Sequence, residues 1–526
     1  MSFVTPEIAW APLAPIIVVL GAAAIGILVE SFVRTPATRR AAQLGLSLVA
    51  LLGAAGVAIV QWAGLEGAGT EVLAGMLTVD RQALAWQIVI LVFGALGALL
   101  FAARTRAGEE AFTSLGSVAP GSTEETLARR KGMQVTEVFP LALFAVGGMM
   151  LFTSVTDLVF LFVALELFSL PLYILVALAR RRRMLSHEGA LKYFLLGAFS
   201  SALFLFGAAL LYGATGSASL TGIADGIATV SGLDPLILGG AVLVVVGLLF
   251  KLGAVPFHSW TPDAYQGAPT PVTAFMGAAT KAAATAALIR VSYEAFYGLT
   301  WELSWLFWAV AIASMLLGTV VALVQTDLKR MLAYSSVAHA GFILVAFAGF
   351  PEATLAALPF YLLAYGLATL GAFAVITQVR ERSDDGTVLG EATRLGQWAG
   401  LGKRSPLLAG AMALFLLSFA GIPLTAGFVG KFVAFAAAIS EGAWPLVLVA
   451  VIASAAAAFF YVRLIVLMFF TDVPDGQEEA IEVDYSPLAR VVVVITAAAV
   501  VLLGVVPGPV LSAFENAAVL LIGSAG

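Results

Sequence analysis

The 526-residue chain is 61% hydrophobic and only 11% charged, with a net charge of −5. A soluble chain carries about 25% charged residues, so most of this chain is predicted to lie in lipid. It has no cysteine and three histidines, which excludes disulfides, thiolate zinc sites and cysteine-ligated iron–sulfur clusters, and no basic excess points to nucleic acid.

Apolar runs long enough to cross about 30 Å of hydrocarbon predict an all-α polytopic membrane protein with about fourteen transmembrane helices. The first run follows MSFVTPEIA, which has no basic residue, and is interpreted as a retained helix. In chain order the runs lie at about 10–33, 41–62, 80–103, 137–154, 157–179, 187–213, 237–262, 269–293, 301–325, 330–349, 354–379, 407–439, 445–471 and 488–512. The fourth run is short, and the twelfth is long and interrupted.

Basic residues predict the orientation, because they favour the cytoplasmic side of a membrane. With the N-terminus outside, alternate loops hold 20 of the 27 lysine and arginine residues, whereas the loops around GLEGAGTE, GIADGIATVSGLD, GFPEAT and SEGAWP hold none. This asymmetry supports fourteen spans with both termini outside. The other seven basic residues are Arg81, Arg290, Arg463, Lys192, Lys251, Lys281 and Lys431.

The whole chain, 1–526, is predicted to form one membrane domain. Segments 104–136 and 380–406 are long, charged and rich in Gly and Ser, and are interpreted as flexible connections or docking surfaces. The acidic stretch 472–484 is interpreted as a solvated loop. The parts of the domain are helices 1–3 in 1–103, a first repeat in 137–293, a second repeat in 301–471 and a last helix in 488–512.

Two helix breaks indicate an internal symmetry. The seventh span breaks at LGAVPF, with Gly253 and Pro256, and the twelfth at FAGIPLTAG, with Gly421 and Pro423. Five helices separate the breaks, so the two broken helices run in opposite directions. Paired broken helices of this kind are typical of inverted repeats in transporters, with sites near the breaks. Helices 4–8 and 9–13 are the predicted repeats.

Glu166 lies about ten residues into the fifth span, and Lys251 lies just before the first break. Charged groups in hydrocarbon are costly unless paired or hydrated, so they mark functional sites. A Glu166–Lys251 pair would be a two-state proton holder, in which the paired lysine keeps its proton and the separated lysine releases it. The alternatives are a structural carboxylate held neutral and a static buried salt bridge.

Three more lysines interrupt apolar runs. Lys281, in GAATKAAATAAL, is surrounded by small residues that leave room for close helix packing or for water; a structural role is the alternative. Lys431 follows Pro423 by eight residues, on the outward side of the second break, which suits an exit site. Lys192 lies near the inner end of its helix and either takes part in transport or extends to the membrane interface.

Two histidines are candidate proton relays, since imidazole titrates near neutral pH. His258 follows Pro256 at the first break, and His339 lies within the tenth span. The alternative for both is a buried histidine with satisfied hydrogen bonds. Asp327, in VQTDLKRMLAYSS, is predicted to cap the next helix.

Glu166, Lys251, Lys281 and Lys431, with the motifs KLGAVPFHSWTPDAYQGAPTPVTAF, QTDLKRMLAYSSVAHAGF and SFAGIPLTAGFVGKF, resemble the antiporter-like membrane subunits of respiratory complex I. The resemblance covers roughly helices 4–13. The segment PDAYQGAPTPVT is the most discriminating, because multisubunit sodium/proton antiporters vary around this turn.

The resemblance implies a role for each matching residue. Glu166 would be the gating glutamate of the fifth helix, and Lys251 its partner on the broken seventh helix. Lys281 would be the central relay, and Lys431 the lysine that leads outward. Lys192 matches the extra lysine that the family carries on its sixth helix.

The resemblance also implies that the chain transports protons in the bacterial cytoplasmic membrane, driven by NADH oxidation and quinone reduction in other subunits. NADH, FMN, iron–sulfur clusters and quinone would be bound by those subunits and no cofactor by this chain. Its partners would be antiporter-like neighbours, small membrane subunits and the lipid bilayer. The alternatives are a subunit of a multisubunit monovalent cation/proton antiporter, and a scaffold whose buried charges are vestigial.

Overall fold

The computed structural model is predominantly helical and is organised as a bundle of long apolar helices. The residues it describes are 9–65, 67, 69–106, 108–113, 118–119, 122–131, 137–229, 234–383, 388–473 and 481–518. The α-helices are α1 (Trp10–Phe32), α2 (Pro36–Gly64), α3 (Arg81–Phe101), α4 (Thr123–Arg130), α5 (Val138–Phe152), α6 (Leu158–Ala177), α7 (Arg183–Thr215), α8 (Leu220–Thr229), α9 (Pro235–Leu252), α10 (Trp260–Gly267), α11 (Thr270–Arg290), α12 (Thr300–Val324), α13 (Leu328–Val345), α14 (Thr354–Ile376), α15 (Leu401–Arg404), α16 (Pro406–Ala420), α17 (Ala426–Ser440), α18 (Trp444–Phe470), α19 (Pro487–Val505) and α20 (Gly508–Ala517).

Within the described ranges, eleven helices are long and apolar enough to cross a membrane. Three further apolar helices are shorter, and these are α5, α16 and α17, each of 15 residues. The bundle is centred on α11, in which every residue is buried. This helix is rich in alanine and glycine, and such small residues let neighbouring helices approach closely in the membrane, where no hydrophobic force drives helices together.

The chain is interrupted at both predicted breaks. Helix α9 ends at Leu252 and α10 begins at Trp260, while α16 ends at Ala420 and α17 begins at Ala426. Gly253 and Gly421 cap the two first halves with nearly equal backbone angles, φ +77° and +79°. Each glycine N–H donates to the carbonyls three and four residues back, which closes the last turn in the same way in both helices.

Replacing Gly421 by alanine is expected to lower the free energy of unfolding by about 1–2 kcal/mol, because an L-residue is strained at this positive φ. The added methyl group would also lie 3.0 Å from Cδ of Lys431. Gly410→Ala, in the interior of the same helix α16 and with open space around its Cα, is the matched control and should stabilise slightly. Thermal midpoints of the purified protein would measure both; equal midpoints for the two variants would contradict the proposed strain.

Parts of segments 380–406 and 472–484, interpreted from the sequence as a flexible connection or docking surface and as a solvated loop, form short strands in the residues that the structure describes. Strand β3 (Val379–Arg382) pairs antiparallel with β4 (Val388–Glu391) and with β5 (Ile481–Val483), giving the strand order β4-β3-β5. These strands are three or four residues long, too short for a sequence alternation to be distinguished from a loop. Residues 384–387 and 474–480 lie outside the described residues. The end of the bundle that carries this sheet is called the sheet end below.

Arg180 joins two described parts of segment 104–136, around Glu109 and Glu125, to the bundle at the sheet end. Arg180 is 5% exposed. Its guanidinium donates to both carboxylate oxygens of Glu125 on α4, at 2.7 and 2.9 Å, and lies 2.9 Å from a carboxylate oxygen of Glu109. Burial would raise the pKa of Glu109, but the hydrogen bond and charge of Arg180 outweigh it and lower that pKa. Arg180 therefore has a structural role besides contributing to the charge asymmetry of the sequence.

At the opposite end, a short hairpin joins α2 to α3. Its strands are β1 (Thr70–Val72) and β2 (Leu77–Val79), paired antiparallel. Two more elements at this end differ from the prediction. The segment between α7 and α9, predicted as a loop, contains helix α8, and the last predicted helix, 488–512, is divided into α19 and α20 at Val506–Pro507. Proline cannot donate a backbone hydrogen bond, which favours the division at this position.

Candidate functional site

Four titratable side chains are buried near the two helix breaks. Lys251 on α9, Lys281 on α11, His339 on α13 and Lys431 on α17 are exposed by only 2, 2, 3 and 6%. A lysine in the middle of a bilayer costs roughly 2.5–3.5 kcal/mol without a polar partner. The partners that the fold gives each side chain therefore decide what it can do.

Lys281 lies at the C-terminal end of the half-helix α9. Its Nζ donates to the carbonyl oxygen of Leu252 at 2.5 Å and lies 3.8 Å from where a Cβ at Gly253 would stand. The last carbonyls of a helix have no intrahelical donor and carry the negative end of the helix dipole. The end of α9 can thus hold a protonated Lys281 without a carboxylate.

Lys431 has the same kind of partner at the second break. Its Nζ donates to the carbonyls of Phe419 and Ala420, at 2.9 and 3.2 Å, and to Oγ of Ser454 at 2.7 Å. The sequence places Lys431 on the outward side of the break, but its side chain reaches back to the end of α16. Lys431 therefore corresponds to Lys281, because both lysines donate to the last carbonyls of a half-helix. Lys251 precedes its own break and does not share this kind of contact.

Lys251 lies in an aromatic cage. Its Nζ lies 5.2–5.7 Å from the ring centroids of Tyr173, Tyr193, Phe168 and Phe250. Ring faces attract a cation, more strongly where water is excluded. Among the described residues its one hydrogen bond is to the hydroxyl of Tyr173, at 3.2 Å.

Glu166 is half-buried on α6 and accepts a hydrogen bond from the hydroxyl of Ser201 on α7. Within the described part of the chain it forms no ion pair with Lys251, so the predicted pair is not formed in this structure. Tyr173 lies two turns after Glu166 on the same helix and contacts the lysine instead. Glu166 and Lys251 thus have different hydrogen-bond partners, Ser201 and Tyr173.

His339, on α13, lies next to the second helix break. Its Nδ1 is 2.7 Å from the hydroxyl of Tyr361, and its Nε2 is 3.5 Å from that of Tyr461. The imidazole ring also lies 5.8 Å from the ring of Phe419, whose carbonyl accepts the hydrogen bond from Lys431. His339 and Lys431 therefore both lie next to Phe419 at the end of α16.

The structure does not bring Lys192 or His258 into this buried group. Lys192 has a side chain that is 44% exposed and pairs with Glu188 at 2.6 Å and Asp263 at 2.7 Å. His258 is half-buried between α9 and α10, with Nδ1 buried and without a hydrogen-bond partner in the described chain. The predicted cap is confirmed, because Oδ1 of Asp327 accepts from the backbone N–H of Arg330 at 3.0 Å.

Several polar residues of the site were not predicted from the sequence. Tyr173 could have been found, since its spacing of seven residues places it on the same helix face as Glu166. The hydroxyls of Ser201, Ser454 and Tyr361 gave no signal, because such residues are common in membrane helices and only tertiary packing directs them at a charge. Within the described residues, no group of three His, Cys, Asp or Glu side chains is placed to hold a metal ion.

Comparisons with known proteins agree with this architecture. Residues 155–457 match the family model described as NADH:quinone oxidoreductase/Mrp antiporter, TM. The chain is 54% identical over 527 residues to NADH-quinone oxidoreductase subunit N of Beutenbergia cavernae, covering 98% of this chain and 99% of that protein. It is 50% identical over 534 residues to the protein of the same name from Rhodococcus opacus, covering 98% of this chain and 96% of the relative.

Solved structures share the fold. A chain of respiratory complex I from Thermus thermophilus with bound aureothin superposes with a TM-score of 0.72 at 34% identity, covering 95% of this chain and 99% of that chain. A chain of the Mrp complex from Dietzia sp. superposes with a TM-score of 0.75 at 23% identity, with 98% of each chain covered, and shows the fold alone. The chain belongs to the NADH-quinone oxidoreductase subunit N family, within the wider NADH:quinone oxidoreductase/Mrp antiporter group of membrane proteins.

Proposed function

We propose that this chain is a proton-translocating membrane subunit of an NADH–quinone oxidoreductase. It would couple NADH oxidation and quinone reduction in other subunits to proton transport across the membrane. The observation that carries the proposal is the placement of Lys281 and Lys431 at the carbonyl ends of two interrupted helices. Such ends hold a proton-bearing amine without neutralising it permanently, as a carboxylate would. Relatives named NADH-quinone oxidoreductase subunit N that match nearly the whole chain support the same function.

The proton path would begin at Glu166 and Lys251. When Glu166 approaches the lysine, the ion pair holds the proton on Nζ. When Glu166 turns to Ser201, as it does here, Lys251 keeps only Tyr173 and the aromatic rings, and its proton is released toward Lys281. No hydrogen bond joins Lys251, Lys281 and His339 within the described residues, so water would carry the proton between them. His339 and Lys431 would then pass it outward.

The fine topology belongs to the same proposal. Fourteen crossings follow if α5, α13 and the broken helix α16–α17 each count as one span besides the eleven longer helices. Helices 4–8 and 9–13 would be inverted repeats, a relation supported by the matching glycine caps at Gly253 and Gly421. The sheet end would face the cytoplasm and both termini the outside, because the loops at the sheet end hold most of the basic residues.

The chain would reside in the bacterial cytoplasmic membrane, beside antiporter-like neighbours and small membrane subunits of the same complex. NADH, FMN, iron–sulfur clusters and quinone would be bound by other subunits. Lys192 and His258 would act at the periphery of the path, Lys192 through its contact with Asp263. Their separation from the buried group makes them secondary members of the site.

The second candidate function is that of a subunit in a multisubunit monovalent cation/proton antiporter. The matching family model includes Mrp antiporters by its description. Affinity purification of the tagged chain in mild detergent tests the two against each other. Copurification of NADH-dependent quinone reduction with flavin- and iron–sulfur-bearing subunits supports the first; copurification of polytopic membrane proteins alone, with sodium-dependent antiport in vesicles, supports the second.

Glu166→Gln is expected to lower proton translocation by the assembled complex by about 100-fold, since a positioned proton-transfer group typically contributes 10²–10⁴-fold. Glutamine keeps the hydrogen bond to Ser201 but cannot carry the charge that draws Lys251. NADH-driven acidification of inverted membrane vesicles measures the effect, normalised to assembled complex. Glu515→Gln, which changes an exposed carboxylate on α20, is the control. A scaffold would show the reverse result, with impaired assembly and unchanged pumping per complex.

A further inference from the structure

A cavity of about 570 Å³ lies at the sheet end, where α12, α13 and α18 meet the β-sheet. We call it the arginine groove. Among the residues that line it are Thr326, Asp327, Glu381, Arg382, Arg394 and Arg463. Its size is that of a site for a small molecule or a lipid headgroup. It is separate from the buried lysines of the proposed proton path.

The acidic residues of the arginine groove have other partners. Asp327 caps α13 through the backbone N–H of Arg330. Glu381 accepts from Arg182 at 3.1 Å and from Gln397 at 2.8 Å. Arg382 is paired with Glu482 at 3.6 Å. The positive charge of Arg394 and Arg463 is therefore left without a carboxylate within 4.0 Å in the described part of the chain.

Arg463 is exposed on the membrane-spanning helix α18, seven residues before the helix ends at Phe470. Its guanidinium has five N–H donors, and the one hydrogen bond that the described residues provide is to the carbonyl of Leu323 at 3.3 Å. The neighbouring side chains on this face, Val462 and Val466, are exposed and apolar. An arginine at this depth is costly unless an anion accompanies it or it extends to the interface.

The geometry of the groove indicates where such an anion would stand. Arg463 approaches from the lipid-facing surface of α18, while Arg394 is exposed on the segment that precedes a 3₁₀ turn, Leu395–Trp398, next to the sheet. The two arginines thus come from the membrane side and from the solvent side of one cavity. Basic pockets between membrane helices at the membrane boundary are suited to the headgroups of anionic lipids.

We propose that the arginine groove binds the phosphate group of an anionic phospholipid, with Arg463 and Arg394 as its ligands and the acyl chains lying along the exposed face of α18. Arginine matches phosphate by paired, charge-assisted N–H bonds, which explains the use of arginine at both positions. The lipid would neutralise Arg463 where the chain itself supplies only a carbonyl. The proposal needs only that the chain spans the membrane, and it stands apart from the proton path.

Native mass spectrometry of the purified intact complex, titrated with phosphatidylglycerol, tests the proposal. The double variant Arg394→Gln/Arg463→Gln is expected to bind the tightest phosphatidylglycerol about 30-fold more weakly, which is about 2 kcal/mol at 1.4 kcal/mol per tenfold. The matched control is Arg34→Gln/Arg490→Gln, which removes two exposed arginines outside the groove. Size-exclusion chromatography shows that each variant is assembled, and both exchanges keep a polar side chain on the surface.

Three results would overturn the proposal. The first is equal weakening in both double variants, which would mean a general charge effect. The second is displacement of phosphatidylglycerol by an equal concentration of inorganic phosphate, which would assign the groove to free phosphate. The third is protection of Arg463→Cys from a water-soluble maleimide in the delipidated complex but not in the isolated chain, which would assign the groove to a neighbouring subunit. Loss of phosphatidylglycerol binding in the first variant alone supports the lipid site.

Discussion

Lys281→Met is expected to lower NADH-driven proton translocation by about 100-fold in the assembled complex, the scale of a lost proton-transfer group. Methionine fills a similar volume in the buried centre of the bundle but has no amine. The carbonyl of Leu252 then loses its donor, and the proposed path has no group between Lys251 and His339. Quenching of a pH-sensitive dye in inverted vesicles, with NADH oxidation measured in parallel, gives the coupling directly.

Lys281→Arg separates proton transfer from charge. Arginine keeps the positive charge and the donors toward Leu252, yet it stays protonated in proteins. The relay hypothesis therefore expects arginine to fail nearly as completely as methionine, whereas a purely structural lysine would be largely replaced by it. The control is Lys403→Gln. Lys403 pairs with Asp472 at the surface, where the two side chains are 73% and 86% exposed, respectively. Normal pumping by Lys281→Arg would contradict the relay.

The sequence was sufficient to locate three buried lysines, because the cost of placing a lysine in hydrocarbon makes Lys251, Lys281 and Lys431 conspicuous in apolar runs. It also located both breaks, since glycine and proline punctuate a helix for reasons that are local to the backbone. The hydrogen-bond partners of each lysine could not be predicted from the sequence. Lys431 reaches back to Phe419 and Ala420, a direction that depends on how α17 packs against α16.

The exposed lysine illustrates the same limit. The sequence left two alternatives for Lys192, a part in transport or extension to the membrane interface, and in the structure Lys192 contacts Glu188 and Asp263 at the surface. Which side of a membrane helix faces its neighbours depends on packing, because lipid is as apolar as the interior and hydrophobic periodicity is weak. The sheet β4-β3-β5 was not predicted for another reason: its strands have only three or four residues, and β5 comes from a segment far along the chain from β3 and β4.

Two half-helix ends at matching breaks also suggest why the lysines are not paired with acids. A carboxylate held against a buried lysine would fix the proton, whereas backbone carbonyls and the helix dipole stabilise the cation more weakly. In the proposed path, Lys251 is the lysine of these three that would exchange its weak partners, the Tyr173 hydroxyl and the aromatic rings, for a full negative charge on Glu166. We infer that Lys251 controls when the proton is released, and that Lys281 and Lys431 accept that proton in turn.

Arg290→Met is expected to have the largest effect on stability, lowering the free energy of unfolding by about 3–5 kcal/mol, the cost of breaking a buried ion pair. Arg290 is 2% exposed and holds both oxygens of Asp80 at 2.9 Å, while a second nitrogen donates to Glu294. Its Nε donates to the carbonyl of Thr153 at 3.1 Å. One guanidinium thus joins the start of α3 to the ends of α5 and α11, far from the sheet end.

Glu294→Gln is the matched comparison within this cluster. The cluster has one guanidinium and two carboxyl groups, and glutamine replaces one carboxyl group while its carbonyl oxygen can still accept from Arg290. Its cost should stay near 1 kcal/mol, the scale of a hydrogen bond. Thermal midpoints of the intact complex should therefore fall steeply for Arg290→Met and little for Glu294→Gln. Similar midpoints for both variants would mean that the two carboxylates do not depend on Arg290, and that this end of the bundle is held by apolar packing instead.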